Sequence, residues 1–252
     1  MTLLEKSPFI PETAMVLAAG LGKRMRPLSD ETPKPLIEVA GKPLIDHALS
    51  RINEVNIKKA VVNVHYLAHM IEEHLSHVRV PEIVISDERE ALLETAGGIK
   101  KALPLIGDKP FVIFNSDSLW LETPKEEETG NMAALLKAWN PDIMDILLML
   151  VEKENAVCFD GAGDYFQDPN GQLTRRSYAT HAPLVYAGVS IVKPVLFTDI
   201  RKGSVSLNEI FDRAQGKRRL FGSILNGFWL HVGTPEAIHE AEEFMTSYRN
   251  MM

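Results

Sequence analysis

The segment 17–28 combines closely spaced glycines with clustered cations, and this combination predicts a phosphate-binding loop. Gly20 and Gly22 follow an apolar run at 14–19 that is typical of a buried strand. One lysine and two arginines come directly after the glycines: Lys23, Arg24 and Arg26. Backbone N–H groups in such a turn can donate to phosphate oxygens while the cations neutralise the charge. We therefore expect the chain to bind a nucleoside triphosphate and to act on its phosphates.

The spacing of this loop excludes two better-known phosphate-binding motifs. A dinucleotide fingerprint needs a third glycine where Met25 stands, and a P-loop needs Ser or Thr where Arg24 stands. A further cation, Lys34, lies between two stiffening prolines. The alternative is a plain strand-end turn with incidental basic residues, but three cations within four residues argue against it.

Composition narrows the class of protein. The 252 residues are 45% hydrophobic and 24% charged, as in an ordinary soluble enzyme. A net charge of −7 argues against a nucleic-acid binder. The absence of a bilayer-length apolar run and of a signal-peptide core predicts no membrane partner and a cytoplasmic location. The single cysteine, Cys158, excludes an intramolecular disulfide and a cysteine-built zinc site.

Strand and helix patterns alternate in the first half of the chain, which predicts a mainly parallel sheet with helices on both faces. Strands are predicted at 14–19, 60–64, 82–85 and 111–114, with helices at 44–55, 67–75 and 98–106. In the second half, strands are predicted at 145–151, 184–192 and 220–225, hairpins within 158–176, and helices at 207–215 and from Pro235. The acidic run 126–128 predicts a solvated face.

Two further segments could complete a nucleotide site. Asn115, Ser116 and Asp117 follow the fourth strand, so they should meet the glycine loop at the carboxyl edge of the sheet. A carboxylate there could hold Mg²⁺, although these residues also favour simple turns. Gly97 and Gly98 could let the backbone approach a planar base, or they could form only a helix-entry turn.

These motifs together resemble the signature of the sugar-1-phosphate nucleotidyltransferases. The resemblance runs from about residue 13 to 245 and includes the segments 17–28, 33–36, 41–44, 93–98, 115–117, 186–188 and 229–235. It is nearest to the short branch of N-acetylmuramate-1-phosphate uridylyltransferases and mannose-1-phosphate guanylyltransferase-like proteins. It implies an α/β, Rossmann-like three-layer α/β/α fold with a mixed, mainly parallel sheet. We expect one domain over 1–252, with a nucleotide half (about 1–120) and a sugar-phosphate half (about 121–252).

The resemblance also implies roles for individual residues. The catalytic residues would be Arg24, Lys34 and Asp117. The nucleotide would bind at Ala18, Ala19, Gly20, Leu21, Gly22, Lys23, Thr95, Gly97 and Gly98. The sugar would bind at Asn115, Tyr186, Gly188, Asn208 and Glu209. The metal, Mg²⁺ or alternatively Mn²⁺, would be held by Asp117 and His231.

The implied reaction joins a nucleoside triphosphate, expected to be UTP, to N-acetylmuramate 1-phosphate, releasing pyrophosphate during cell-wall sugar recycling. Alternatives are a mannose or other hexose 1-phosphate substrate, and a catalytically weak nucleotide-sugar sensor. A glycosyltransferase would normally show an Asp-x-Asp motif, which 115–117 lacks. We expect a monomer or a small homo-oligomer.

His231 departs from the family motif, which carries an aspartate at this position as a second metal ligand. Imidazole suits Mn²⁺, Zn²⁺ or Co²⁺ better than Mg²⁺. His231 could therefore be a ligand with altered metal preference, a contact to a substrate phosphate, or a sign of reduced activity.

Overall fold

The computed structural model describes residues 9–123 and 130–251, so the acidic run 126–128 lies outside the described residues. The strands are β1 (Thr13–Leu17), β2 (Glu38–Val39), β3 (Lys42–Pro43), β4 (Lys59–Val64), β5 (Glu82–Asp87), β6 (Phe111–Asn115), β7 (Ser118–Glu122), β8 (Ile146–Glu152), β9 (Ala156–Val157), β10 (Tyr165–Gln167), β11 (Leu173–Arg175), β12 (Leu184–Val192), β13 (Leu220–Ile224) and β14 (Gly227–His231). The helices are α1 (Leu28–Glu31), α2 (Leu44–Glu54), α3 (Ala68–Ser76), α4 (Glu94–Ile106), α5 (Asn131–Ala138), α6 (Leu207–Gly216) and α7 (Pro235–Met251). Among the described helices, none is long and apolar enough to cross a membrane.

Within the described ranges, the main sheet has nine strands, and it confirms the predicted α/β class. Its order is β11-β10-β12-β6-β1-β4-β5, with β8 beside β12 and β13 beside β8. β1 pairs in parallel with both β4 and β6, and β4 pairs in parallel with β5. Within this sheet, β12 runs antiparallel to β6, β8 and β10, and β11 runs antiparallel to β10. β13 pairs in parallel with β8. Following these pairings, seven of the nine described strands point in one direction and β11 and β12 point in the other, so the sheet is mixed but mainly parallel.

Helices cover both faces of this sheet because the side chains of a strand alternate between its faces. In β1, Ala14 and Val16 pack into one core with residues of α2, α3 and α5. Met15, between them, packs into a second core with residues of α4 and α6. All three side chains are fully buried. β1 thus lies in the centre of a three-layer structure, and its carboxyl end leads directly into the glycine loop.

A small second sheet, which the sequence analysis did not predict, anchors the cationic loop. It has the order β7-β14-β9 and forms a third core with α7. Met25, between the two arginines of the loop, is fully buried in this core with Leu230 of β14 and Met245 of α7. Burial of Met25 fixes the loop, while Arg24 and Arg26 on either side remain exposed.

Two element predictions were wrong in detail. The helix predicted at 98–106 begins at Glu94, because the N–H groups of Ala96 and Gly97 donate to the carbonyl of Val205. The glycine pair therefore lies inside α4 and not before it. In 158–176, only the turn at Asn170-Gly171 joins paired strands, β10 and β11. The segment at 160–161 instead folds closely over the ring of Phe159.

Candidate active site

A cavity of about 380 Å³ opens at the carboxyl ends of β1, β4 and β6. It brings together the glycine loop, the start of α4 and the segment after β6. Its walls are formed by Leu17, Ala18, Ala19, Gly20, Gly22, Lys34, Pro35, Asn63, Leu92, Glu94, Thr95, Asn115, Ser116, Asp117 and Ser206. Parallel α/β sheets bind ligands at this edge, so the topology accounts for the position of the cavity.

The glycine loop folds tightly against Lys34. Gly22 has φ +60, and a Cβ built on it would lie 3.1 Å from the Cβ atoms of both Lys34 and Ser29. The Ser29 hydroxyl donates to the Gly22 carbonyl at 2.8 Å. A left-handed backbone and close neighbours both require glycine here. The loop therefore holds the stem of Lys34 against the cavity wall.

Lys34 and Asp117 form an ion pair across the cavity. The Lys34 Nζ atom donates to Asp117 Oδ2, and the two side chains are 15% and 33% exposed. Burial opposes ionisation of Asp117, but the Lys34 ammonium outweighs it and holds the pKa of Asp117 below its usual value. The site thus holds an ionised carboxylate beside a cation, and both can exchange partners for ligand charges.

Arg24 and His231 lie close together beside this ion pair. A Cβ built on Gly233 would stand 2.8 Å from His231 Nε2 and 3.4 Å from Arg24 Nη1. Burial lowers the pKa of His231; Asp117 opposes this, while Arg24 and Lys34 add to it. The imidazole is therefore neutral near pH 7 and can offer a lone pair. Its ring packs against both Phe159 and Trp229, with centroids 5.8 and 5.2 Å away.

The capacity of this site for a metal rests on Asp117 and His231. Within residues 9–123 and 130–251, no group of three or more His, Cys, Asp or Glu side chains could hold a metal ion. A divalent cation that takes most of its oxygen ligands from substrate phosphates needs only one or two protein ligands. The two side chains fit that kind of site, in which substrate completes the coordination.

Close packing in the structure explains why α4 has glycine at positions 97 and 98. A Cβ on Gly97 would lie 2.3 Å from the carbonyl oxygen of Gly203, and one on Gly98 would lie 2.5 Å from Glu88 Oε1. Neither glycine lines the cavity, although Thr95 does. The Thr95 hydroxyl accepts from the N–H of Leu207 at 2.7 Å. The role of Gly97 and Gly98 in base binding stays a prediction.

Among the predicted sugar-binding residues, Asn115 and Gly188 are neighbours. Gly188 has φ +82, and a Cβ on it would lie 2.0 Å from Ser118 Oγ and 3.1 Å from Asn115 Nδ2. It occupies an irregular stretch of β12, where the pairing with β8 shifts register. The nearby Tyr186 hydroxyl donates to Ser190 at 3.3 Å, and burial raises the pKa of this phenol.

The remaining predicted residues lie outside the cavity wall. Asn208 and Glu209 are exposed at the start of α6, where Glu209 pairs with Arg201 at 3.2 Å. Leu21 and Lys23 belong to the glycine loop but do not line the cavity. The role of Asn208 and Glu209 in sugar binding stays a prediction.

The sequence analysis did not identify several wall residues: Asn63, Leu92, Glu94 and Ser206. Asn63 had a detectable signal, because it is a polar residue within the apolar strand 60–64. Glu94 lies in the segment 93–98 that carried the resemblance, whereas Ser206 had no signal beyond its position next to a predicted helix.

Comparison with known proteins agrees with this geometry. The family model described as Nucleotidyl transferase matches residues 13–248. The chain is 44% identical to the N-acetylmuramate alpha-1-phosphate uridylyltransferase of Caulobacter vibrioides, over 92% of this chain and 96% of that protein. It is 35% identical to the enzyme of the same name from Neisseria meningitidis, over 94% of this chain and 99% of that protein. The catalytic subunit beta of Dictyostelium discoideum mannose-1-phosphate guanylyltransferase is 29% identical, over 88% and 61%.

Solved structures share the fold at low sequence identity. A UDP-glucose pyrophosphorylase complexed with UDP-glucose superposes with a TM-score of 0.75 at 14% identity, covering 95% of this chain and all (100%) of that one. The inositol-1-phosphate CTP transferase of T. maritima superposes with a TM-score of 0.73 at 17% sequence identity, covering 94% of this chain and 95% of that one. These neighbours agree with the predicted Rossmann-like nucleotidyltransferase fold. By its family match and its relatives, the chain belongs to the nucleotidyl transferase family.

Proposed function

We propose that this protein transfers the uridylyl group of UTP to N-acetylmuramate 1-phosphate, forming a UDP-sugar and pyrophosphate. The observation that carries the proposal is the Lys34–Asp117 ion pair on the wall of the glycine-lined cavity, with Arg24 and His231 beside it. The relatives that are 44% and 35% identical support the choice of substrates.

The reaction needs positioning and charge neutralisation more than proton transfer. A sugar-phosphate oxygen attacks the α-phosphorus of UTP, a new P–O bond forms, and the bond to the β-phosphate oxygen breaks. Because the attacking phosphate is already ionised near neutral pH, no general base is required. Lys34 would neutralise charge at the α-phosphate, and Arg24 would stabilise the departing pyrophosphate.

Asp117 and His231 would hold the divalent cation, Mg²⁺ or alternatively Mn²⁺. When bound, such a cation neutralises phosphate charge and fixes the geometry of the two substrates. The neutral imidazole of His231 is suited to this role. Asp117 would exchange its contact with Lys34 for the cation when UTP binds.

A second candidate is a guanylyltransferase for mannose 1-phosphate, favoured by the 29% identity to the Dictyostelium protein. A sensor that binds nucleotide without turnover is the remaining alternative.

Pyrophosphate release separates these functions. We would combine UTP, GTP, dTTP, CTP and ATP with the 1-phosphates of N-acetylmuramate, mannose, glucose and N-acetylglucosamine, in Mg²⁺ and in Mn²⁺. The proposal expects the strongest release from UTP with N-acetylmuramate 1-phosphate. If pyrophosphate release were strongest from GTP with mannose 1-phosphate, the second candidate would be supported instead. If no combination released pyrophosphate but the protein still bound nucleotide, the sensor would be supported.

A substitution at Gly20 can test whether a phosphate contacts the loop backbone, because in the part of the chain that the structure describes no protein atom there would be disturbed by a small side chain. Its φ lies outside the left-handed region, and among the described residues no atom would crowd a Cβ within 4 Å. Its lack of a side chain therefore has no internal packing reason, whereas a phosphate drawn onto the loop backbone would supply one.

We expect Gly20→Ala to keep the thermal unfolding midpoint but to lower kcat/KM for UTP by about 100-fold. The added methyl group would displace the bound triphosphate, and a displacement of the reacting phosphate by about 1 Å is enough to cause a loss of this size. Gly216→Ala, at the equally open end of α6, is the matched control and should leave kcat/KM unchanged. Steady-state kinetics and thermal melts check both. Wild-type kinetics in Gly20→Ala would mean that no ligand approaches this backbone.

Arg24 and Arg26 form a matched pair for testing leaving-group stabilisation. Both are exposed, but Arg24 lies beside His231 whereas Arg26 pairs with Asp30 at 3.0 Å. We expect Arg24→Ala to lower kcat by about 100-fold, as for other positioned charge stabilisers. Arg26→Ala should change kcat by less than about threefold, because surface ion pairs contribute little. Equal effects of the two substitutions would contradict the role given to Arg24.

A further inference from the structure

We propose that Asn63 and Glu88 are positioning residues that fix the backbone of Ala18 at the wall of the nucleotide cavity. This inference rests on the proposed function, because it assigns the pair to nucleotide binding. Neither residue carries a role in the mechanism above, and neither belongs to the motifs of the sequence analysis.

Asn63 replaces a sheet hydrogen bond at the point where β1 ends. The parallel pairing of β1 with β4 stops at Leu17 and Asn63. The next N–H along the chain, that of Ala18, donates to Asn63 Oδ1 at 2.7 Å. Both residues are 2% exposed, and both line the cavity. The side chain of Asn63 therefore holds the first loop residue in place where the regular ladder no longer can.

Glu88 fixes the orientation of the Asn63 amide. Asn63 Nδ2 donates to Glu88 Oε1 at 2.8 Å, which leaves Oδ1 facing Ala18. Glu88 is fully buried, and both its backbone N–H and its backbone carbonyl have hydrogen-bond partners. Its N–H donates to the carbonyl of Val64 at 2.8 Å, and its carbonyl oxygen lies 2.7 Å from His65 Nδ1. Glu88 Oε1 is thus the acceptor that orients the Asn63 amide.

Gly98 provides the space for this pair. A Cβ at that position would stand 2.5 Å from Glu88 Oε1 and 2.9 Å from Asn63 Nδ2. A glycine inside a helix lowers helix stability relative to alanine. The chain accepts that cost in α4, where the gain is room for a buried carboxyl and amide.

Loss of the pair should disturb the cavity wall more than the core. Without the Asn63 acceptor, the N–H of Ala18 would be buried without a partner, which is costly. The strand end can relieve that cost by shifting Ala18 and Ala19, both of which line the cavity. Binding of the nucleotide would weaken, whereas the sugar phosphate would not sense the change directly.

The test compares Glu88→Gln with Glu88→Leu in the full-length protein. Gln keeps an oxygen that can accept from Asn63, so its KM for UTP should stay within about twofold of the wild type. Leu removes the acceptor, so its KM for UTP should rise about 10-fold, the scale of one lost buried hydrogen bond. KM for N-acetylmuramate 1-phosphate should not change in either variant.

Two further variants keep the test decisive. Asn63→Ser shortens the side chain beyond reach of Ala18 and should repeat the effect of Glu88→Leu. Ser86→Ala, at a buried polar position paired with Asn63 in β5, is the control and should bind UTP normally. Hydrogen exchange at the Ala18 amide, followed by NMR, should accelerate in Asn63→Ser and Glu88→Leu alone.

The inference is overturned if Glu88→Leu and Asn63→Ser lower the unfolding midpoint while KM for UTP and Ala18 exchange stay unchanged. It is also overturned if Glu88→Gln is as impaired as Glu88→Leu, since the carboxylate charge would then be what matters. If the wild type binds no UTP, the proposed function fails on that result alone. Exchange at Ala18 would then decide separately whether the pair holds the backbone.

Discussion

The ion pair between Lys34 and Asp117 is the interaction on which the site depends. It joins the turn after the glycine loop to the end of β6, so it links two segments far apart in the chain. It also keeps Asp117 ionised despite partial burial. Two opposite charges held in contact at a cavity wall can each accept a ligand group, and a triphosphate with its cation supplies both.

The fold positions this pair through packing that is independent of any ligand. β1 is buried in the middle of the sheet, and Asn63 holds the residue that follows it. Met25 anchors the cationic loop in a separate core, which the small sheet β7-β14-β9 builds together with α7. His231, at the end of β14, is thereby brought beside Arg24. The half of the chain predicted to bind nucleotide and the half predicted to bind sugar phosphate meet at this point.

Local signals in the sequence predicted the strands of the main sheet, most helices and the glycine loop. Apolar runs, glycine spacing and clustered cations are properties of neighbouring residues, so they can be read without a structure. The pairing of β7 with β14 could not be predicted, because it joins residues about a hundred positions apart. The packing of Gly98 against Glu88 could not be predicted for the same reason, because Glu88 comes from another part of the chain and only the fold brings the two residues together.

Binding of UTP without metal tests the central claim most directly, because the Lys34–Asp117 pair must then open without a cation to replace Lys34. In Asp117→Asn, Lys34 is free for phosphate and one negative charge is gone. Calorimetry should show metal-free UTP binding about tenfold tighter than in the wild type, while Mg²⁺-dependent turnover is largely lost. Weaker metal-free binding in Asp117→Asn, or turnover with unchanged Mg²⁺ dependence, would contradict the exchange of partners at this ion pair.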